Sequence, residues 1–188
     1  MDVAGLTLTS ERLVLSGYQP SDAAEVFAAI TPPLARWMSW EAPVSQAELA
    51  EVLGGLAAKM QDGAAFDPAV IRLAATGEFL GMSGVHKLDE PEPEPGIWIK
   101  EAAHGHGYGR EAVRTVIDWA ATHGFASVVY PVAEANAPSR RLAEALGGEA
   151  FGARPMVKPG GARFPMVLYQ IPAPCVVRDA ILRDRSSP

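Results

Sequence analysis

Cysteine is almost missing from this chain: Cys175 is the single one among 188 residues. One thiol excludes an internal disulfide, and by itself it indicates no particular compartment. Basic residues are also few, since 16 Lys and Arg stand against 22 Asp and Glu for a net charge of −6, which argues against a nucleic-acid partner. No apolar run is long enough to cross a bilayer, and Met1-Asp2-Val3 does not begin a signal peptide. We therefore expect a cytoplasmic protein that works away from nucleic acids and membranes.

Hydrophobic residues make up 48% of the chain, which is enough to build one folded domain with a full core. Segments typical of strands alternate with helical patterns, so we predict an α/β fold with a mixed sheet. The predicted strands are 12–16, 69–75, 79–87, 96–100, 127–132 and 166–171, with another near 150–157. The predicted domain spans 6–171, and 172–188 is predicted to be a tail that packs outside it or is disordered.

Apolar residues recur at helical spacing in three segments, each of which predicts an amphipathic helix. The stripes consist of Ala23, Val26, Phe27 and Ile30; of Leu49, Val52, Leu53, Leu56 and Met60; and of Val113, Val116, Ile117, Ala120 and Ala121. Ser45 with Glu48 predicts a capping box for the second helix, and His123-Gly124 predicts the end of the third.

The third helix follows a loop with three alternate glycines, His104-Gly105-His106-Gly107-Tyr108-Gly109-Arg110. Glycine lets backbone N–H groups turn to one side, and the start of a helix adds unpaired N–H groups and the positive end of its dipole. The loop therefore predicts a seat for a phosphate or pyrophosphate, although a plain connection can have the same glycines. A P-loop is excluded because Gly109 is followed by Arg110-Glu111 rather than Lys-Ser/Thr, and the glycine spacing is not that of a dinucleotide-binding loop.

The segments on either side of this loop carry a resemblance to a known family. A short strand at 96–100 precedes the loop, and a second strand at 127–132 follows its helix. Next comes Asn136-Ala137-Pro138-Ser139, the start of a short helix that ends at Gly147-Gly148. This succession resembles the GNAT family of N-acetyltransferases. Over residues 6–171 the chain is most similar to the branch that acetylates the N-termini of ribosomal proteins, and to its small-amine relatives.

The resemblance implies the acyl-CoA N-acyltransferase fold, with a mostly antiparallel central sheet and flanking helices. It implies that acetyl-CoA gives its acetyl group directly to a primary amine, either a protein N-terminus or a small molecule, without a metal, in a monomer or homodimer. The implied coenzyme A contacts are Trp98, Ile99, His104, Gly105, His106, Gly107, Tyr108, Gly109, Arg110, Asn136 and Ser139. The implied acceptor contacts are Trp37 and Trp40, which would look the same as a plain apolar cluster under a loop.

Two residues are implied in the chemistry. Glu94 aligns with the glutamate of the family's Glu-x-Gly-x-Trp pattern and would take the amine proton, with Glu92 as the alternative and a solvated loop glutamate as the ordinary explanation. Ser139 would donate to the leaving thiolate, unless it bonds only its own backbone. Asn136 would hold the pantetheine amide or simply cap the helix, and Arg110 would add a charge at the pyrophosphate or stay in solvent.

The sequence departs from the family pattern at two positions. His104 stands where Gln or Arg is usual, and Ala143 stands where a tyrosine often acts as general acid. The absent tyrosine leaves a second function open, a coenzyme A-binding sensor or interaction module without transfer activity. Pro131 has no N–H and predicts a local break in the pairing with strand 96–100, where the family's pantetheine arm lies, although an ordinary strand end also accommodates proline.

Overall fold

The computed structural model describes residues 6–61 and 65–174, which form two antiparallel sheets with flanking helices. The predicted fold class is confirmed. The elements are β1 (Thr7–Thr9), β2 (Leu13–Gly17), α1 (Ala23–Ala29), α2 (Pro32–Ala35), α3 (Gln46–Gln61), β3 (Phe66–Leu73), β4 (Phe79–His86), β5 (Glu94–Ile99), α4 (Tyr108–Thr122), β6 (Ser127–Ala133), α5 (Ala137–Ala145), β7 (Glu149–Val157) and β8 (Arg163–Pro172).

The two sheets meet at β5 and β6 and then separate. One sheet has the strand order β1-β2-β3-β4-β5, and the other has the order β6-β8-β7. The N–H of Val129 in β6 donates to the carbonyl of Pro93, just before β5, at 3.0 Å. Beyond this contact the strands belong to different sheets, so the predicted break in pairing is confirmed.

Pro131 accounts for the point at which the pairing stops. Successive residues of a strand direct their backbone groups to opposite sides, so positions 129 and 131 face the same neighbour. Val129 uses its N–H to reach toward β5, whereas proline has no N–H to continue the ladder. The proline in β6 therefore explains why a gap opens between β5 and β6.

Helices cover both faces of the larger sheet. The predicted stripe of α4 is confirmed, since Val113, Val116 and Ile117 are fully buried in the main core. In β3, Ile71 joins this core, while its neighbour Val70 points to the other face. There it joins a second cluster with residues of α1, α3 and β4, namely Val26, Leu49, Leu53, Phe79 and Met82.

Short sequence patterns, such as helix caps and turn glycines, correctly predict most of the helices and strands. Ser45 Oγ accepts the N–H of Glu48 at 3.2 Å at the start of α3, and Gly77 (φ +75°) turns the chain between β3 and β4. The strand predicted at 69–75 instead spans Phe66–Leu73, because the turn at Gly77 already begins with a bond to the Leu73 carbonyl. β1 and α2 were not predicted, since elements of three and four residues are too short to show a periodicity.

The last strand of the smaller sheet ends one residue past the predicted domain range of 6–171. β8 runs to Pro172, and the N–H of Ala173 still donates to the carbonyl of Ala126 at 2.9 Å. The rest of the predicted tail, 175–188, including Cys175, lies outside the described residues.

Candidate active site

The gap between β5 and β6 opens into a groove of about 1020 Å³ that collects nearly all of the sequence-predicted site residues. Its lining includes Trp37, Trp40, Glu94, Trp98, Ile99, His104, Gly105, Gly107, Tyr108, Gly109, Arg110, Asn136 and Ser139. The remaining predicted residue, His106, stacks its ring on Tyr108 with the centroids 5.5 Å apart. The predicted residues therefore share one site although they span more than a hundred positions of the chain.

The glycine loop forms one end of the groove. Gly105 (φ +81°) and Gly107 (φ +79°) adopt the left-handed conformation, and Gly107 is the N-cap of α4. The first intrahelical bond runs from the N–H of Glu111 to the carbonyl of Gly107 at 3.1 Å. The N–H groups of Tyr108, Gly109 and Arg110 precede it and have no intrahelical acceptor, so they are available to an anion.

Arg12 holds this loop in place from the start of β2, a role that the sequence did not reveal. Its Nη1 donates to the carbonyl of His106 at 3.1 Å, and its guanidinium lies 4.7 Å from the Tyr108 ring centroid. Its Nη2 also pairs with Glu111 Oε2 at 2.6 Å. Burial would raise the pKa of Glu111, but hydrogen bonds from Ser10 and Arg12 outweigh it and hold that pKa below the ordinary value. Arg12 and Glu111 thus tie the loop to the first turn of α4.

We expect Glu111→Gln to weaken the binding of coenzyme A, the ligand that the resemblance implies for this loop, about fivefold, the factor that corresponds to about 1 kcal/mol for a partly exposed ion pair. The neutral amide holds Arg12 less firmly, so the His106 carbonyl loses its anchor. Calorimetric titration with coenzyme A measures the change. Glu78→Gln is the matched control, because it removes an ion pair with Lys100 (2.7 Å) that has no contact with the glycine loop. Equal losses in the two variants would contradict this role of Glu111.

The strand register distinguishes between Trp98 and Ile99, both implied coenzyme A contacts, by the direction of their backbone N–H groups. The N–H of Lys100 donates to the Leu80 carbonyl at 2.8 Å, and Trp98 pairs with Met82. The backbone of Trp98 therefore faces β4, and that of Ile99 faces the gap. The carbonyl of Ile99 accepts a hydrogen bond from His104 Nε2 at 2.7 Å, which leaves its N–H as the donor on the groove side.

Helix α5 presents Ser139 at the opposite wall of the groove. Asn136 caps this helix, because its Oδ1 accepts the N–H of Ser139 at 3.3 Å, and its amide group remains for a ligand. The Oγ of Ser139 lies 3.2 Å from the hydroxyl of Tyr130 on β6. Burial raises the pKa of Tyr130, which is 3% exposed and which the sequence presented only as a strand residue.

Glu94 lines the groove and forms ion pairs with Arg154 and Lys87. Its two carboxylate oxygens accept from Nη1 and Nη2 of Arg154 at 2.8 and 2.6 Å, and Lys87 Nζ lies 3.0 Å from Oε1. Lys87 has φ +60°, a conformation uncommon for lysine. Burial would raise the pKa of Glu94, but the hydrogen bonds from Arg154 and Lys87 outweigh it and keep that pKa below its usual range. Glu92 instead accepts from Gln170 Nε2 at 2.6 Å.

The two predicted tryptophans also line the groove. Trp37 is half-buried under the Arg36 guanidinium (4.3 Å), and Trp40 packs against the second hydrophobic cluster. The preceding helix α2 is fixed by Lys158, whose buried Nζ donates to the Ala35 carbonyl at 2.9 Å. Both tryptophans therefore belong to the packing and also line the groove.

Neither a metal site nor a membrane span is found in the part of the chain that the structure describes. Within 6–61 and 65–174, no three His, Cys, Asp or Glu side chains group as metal ligands. None of the helices in these ranges has both the length and the apolar character to cross a bilayer.

A family model described as an acetyltransferase (GNAT) domain matches residues 12–149, well over half of the 188 residues. The chain belongs to the GNAT family. The predicted resemblance is thereby confirmed, and with it the class of acetyl-CoA-dependent acyltransferases. No curated protein sequence matches this GNAT protein closely.

Solved structures with the same fold include relatives of the predicted branch. A candidate ribosomal-protein-serine acetyltransferase from Vibrio cholerae is 19% identical, with a TM-score of 0.78 over 89% of this chain and 97% of its own. RimJ from Mycobacterium smegmatis, in complex with CoA-disulfide, is 21% identical, with a TM-score of 0.78 over 90% of this chain and 88% of its own. A ribosomal-protein-S5-alanine acetyltransferase from Vibrio fischeri is 18% identical, with a TM-score of 0.73 over 89% of this chain and 97% of its own. At these identities the likeness shows that the chain shares its fold with members of the predicted branch.

The two departures from the GNAT pattern have different positions in the site. His104 lies in the groove and anchors the Ile99 carbonyl through Nε2. Ala143 lies on the inner face of α5 and is fully buried in the main core. The hydroxyl next to Ser139 is instead that of Tyr130.

Proposed function

We propose that this protein is an N-acetyltransferase that moves an acetyl group from acetyl-CoA to a primary amine bound in the same groove. The observation that carries the proposal is the continuity of the groove. Its lining includes the glycine loop with the start of α4, Ile99, Ser139, and the two tryptophans Trp37 and Trp40. An anion seat, a backbone donor, a hydroxyl donor and an apolar wall thus line a single groove.

The glycine loop fits a pyrophosphate. Gly105 and Gly107 are both left-handed and line the groove, and the first N–H groups of α4 have no intrahelical acceptor. Arg110 lines the same end and is exposed, so its charge is available to the phosphates. Acetyl-CoA supplies the activated acetyl group and a thiolate leaving group. RimJ in its complex with CoA-disulfide supports this assignment by analogy of fold.

The chain's own residues are assigned one step each. The N–H of Ile99 polarises the thioester carbonyl while the amine nitrogen bonds to the acetyl carbon. Glu94 takes the proton that the amine loses, directly or through water. Ser139 donates to the sulfur as the C–S bond breaks, and Asn136 holds the pantetheine arm with its free amide group. The products are an N-acetylated amine and coenzyme A.

The acceptor that we propose is a protein N-terminus or a small-molecule amine. The names of the V. cholerae and V. fischeri relatives point to ribosomal-protein N-termini for those proteins. Trp37 and Trp40 offer an apolar wall in the groove that Glu94 also lines, and the net charge of −6 suits a cationic acceptor. We further propose a monomer or homodimer that works in the cytoplasm, away from nucleic acids.

Release of free thiol from acetyl-CoA tests this function against a panel of acceptors. The panel contains peptides that begin with serine or alanine, together with small primary amines. We expect at least one acceptor to release thiol at a rate that rises with pH as the amine loses its proton. Tight coenzyme A binding without thiol release for any acceptor would contradict transfer and would favour a non-catalytic module.

We expect Gly107→Ala to weaken coenzyme A binding about 5-fold to 30-fold, since the left-handed conformation costs an alanine about 1–2 kcal/mol. The strained loop leaves the geometry in which its N–H groups converge. Gly77→Ala is the matched control, because Gly77 has a similar φ of +75° at a hairpin outside the groove. Calorimetry with coenzyme A and thermal unfolding are measured on both variants. The anion seat is wrong if both variants lose stability alike and both keep the parent affinity.

A further inference from the structure

Tyr130 lines the groove, and its hydroxyl is a buried polar group that the proposed reaction leaves unused. We propose that Tyr130 is a positioning residue: its O–H donates to Ser139 Oγ and thereby directs the Ser139 proton toward the sulfur of bound coenzyme A. This inference rests on the proposed function, because it assigns a role within that reaction.

Burial decides which of the two hydroxyls is the donor. Tyr130 is 3% exposed, and the partner of its hydroxyl is Ser139 Oγ at 3.2 Å. If Ser139 donated to Tyr130, the proton of the buried phenol would need another acceptor, and an unsatisfied buried donor is costly. The phenol also keeps its proton at neutral pH, since burial raises the pKa of Tyr130. Tyr130 therefore donates, and Ser139 accepts.

The consequence for Ser139 is a hydroxyl with a fixed direction. A serine hydroxyl has one donor and two lone pairs, and Tyr130 occupies one of the lone pairs. The N–H of Ser139 is held by Asn136 Oδ1, so the residue is constrained at both its backbone and its side chain. Its own proton is then directed into the groove that Ser139 lines. Without Tyr130, the hydroxyl is free to turn back and donate to a carbonyl of the preceding turn.

Tyr130 also lies in a suitable place to compensate for Ala143. Helix α5 contains no tyrosine that could donate to a departing thiolate, and its Ala143 is fully buried. The phenol instead reaches the groove from β6 and acts through the serine. Donation into Ser139 also polarises its O–H bond, which strengthens the serine as a donor.

The chain provides a matched control in Tyr169. It lies directly opposite Tyr130 in the β6–β8 register and is 2% exposed. Its hydroxyl also contacts α5, where it donates to Glu144 Oε1 and accepts from Arg140 Nε, both at 3.0 Å. Tyr169→Phe therefore removes a buried tyrosine hydroxyl from the same sheet and helix without changing the contact to Ser139.

The test compares the parent with Tyr130→Phe, Ser139→Ala, the double variant and Tyr169→Phe. The probe is coenzyme A itself, whose bound thiol is titrated through the ultraviolet absorbance of its thiolate. In the parent, we expect the thiol pKa of bound coenzyme A to be lower than that of free coenzyme A. Tyr130→Phe should raise this pKa, and the double variant should have a pKa no higher than that of Ser139→Ala. With acetyl-CoA, Tyr130→Phe should lower kcat about threefold to tenfold with an unchanged KM for acetyl-CoA. Tyr169→Phe should match the parent in both measurements.

The possible outcomes separate this inference from the proposed function. Three results would overturn the positioning role. The thiol pKa in Tyr130→Phe could equal that of the parent, or the double variant could have a higher thiol pKa than Ser139→Ala. Tyr169→Phe could also change the thiol pKa and kcat as much as Tyr130→Phe does. If the parent binds coenzyme A but transfers acetyl to no amine, the proposed function fails, and the thiol titration still decides whether Tyr130 directs Ser139. If the parent does not bind coenzyme A, both are overturned.

Discussion

Replacing Ser139 by alanine is expected to lower kcat by about 10-fold to 1000-fold, by analogy with single donors to a developing anion, whose removal costs up to about 1000-fold. The hydroxyl lines the groove opposite the Ile99 backbone, and its donation matters most as the thiolate forms. Because this interaction belongs to the transition state, kcat and kcat/KM for the acceptor should fall together. Steady-state kinetics with acetyl-CoA and the best acceptor of the panel measure both, and calorimetry should find an unchanged affinity for coenzyme A.

Asn136, on the same helix turn, supplies the control that separates binding from chemistry. Asn136→Ala removes both the cap on Ser139 N–H and the amide donors, so it should raise the KM for acetyl-CoA and cost about 1 kcal/mol of stability. Asn136→Asp keeps an oxygen for the cap and replaces the donors with a carboxylate charge that a helix N-terminus tolerates, so it should raise this KM with little change in unfolding temperature. If Ser139→Ala changes stability alone, Ser139 is a structural residue and the thiolate is protonated by water.

The parts of the site that could be predicted from the sequence are those built from neighbours along the chain. The glycines at 105 and 107 predict a loop with left-handed residues, and the apolar stripe that begins at Val113 predicts the helix α4 that follows the loop. In the same way, Asn136 at the cap and Pro138 in the first turn predict the start of α5. Even the gap between the sheets has a local signal, since Pro131 cannot donate toward β5.

The contacts that tune the site could not be predicted, because they join residues that are far apart in the chain. Glu111 accepts from Ser10 Oγ across 101 positions, and Arg154 pairs with Glu94 across 60. Nothing in the sequence around β6 indicates that the Tyr130 hydroxyl meets Ser139, since a tyrosine in a strand is ordinary. The choice between Trp98 and Ile99 also required the strand register, because a backbone N–H leaves no mark in the sequence.

Glu94 has two possible roles that predict different kinetics. As the base, it accepts the proton of the amine and affects the rate of turnover. As a structural carboxylate, it only neutralises Arg154 and Lys87 and affects stability. Its lowered pKa keeps it ionised at neutral pH, so its contribution to stability is present there and is lost as the pH falls through its folded-state pKa. The parent rate should therefore rise around neutral pH because of the amine, not because of Glu94.

We expect Glu94→Gln to lower kcat by about 100-fold to 10,000-fold, the range for loss of a general base, and to change coenzyme A affinity far less. Glu92→Gln is the matched control, because Glu92 bonds Gln170 and Ser127 away from the groove. Arg154→Met separates the two roles. Loss of the Arg154 hydrogen bonds raises the pKa of Glu94 relative to the parent, although Lys87 still lowers it, so the acid limb of the pH–rate profile should move to higher pH while most of kcat is retained. If Glu94→Gln and Arg154→Met lower stability alike and leave kcat unchanged, Glu94 is an ion-pair partner and another group or water takes the proton.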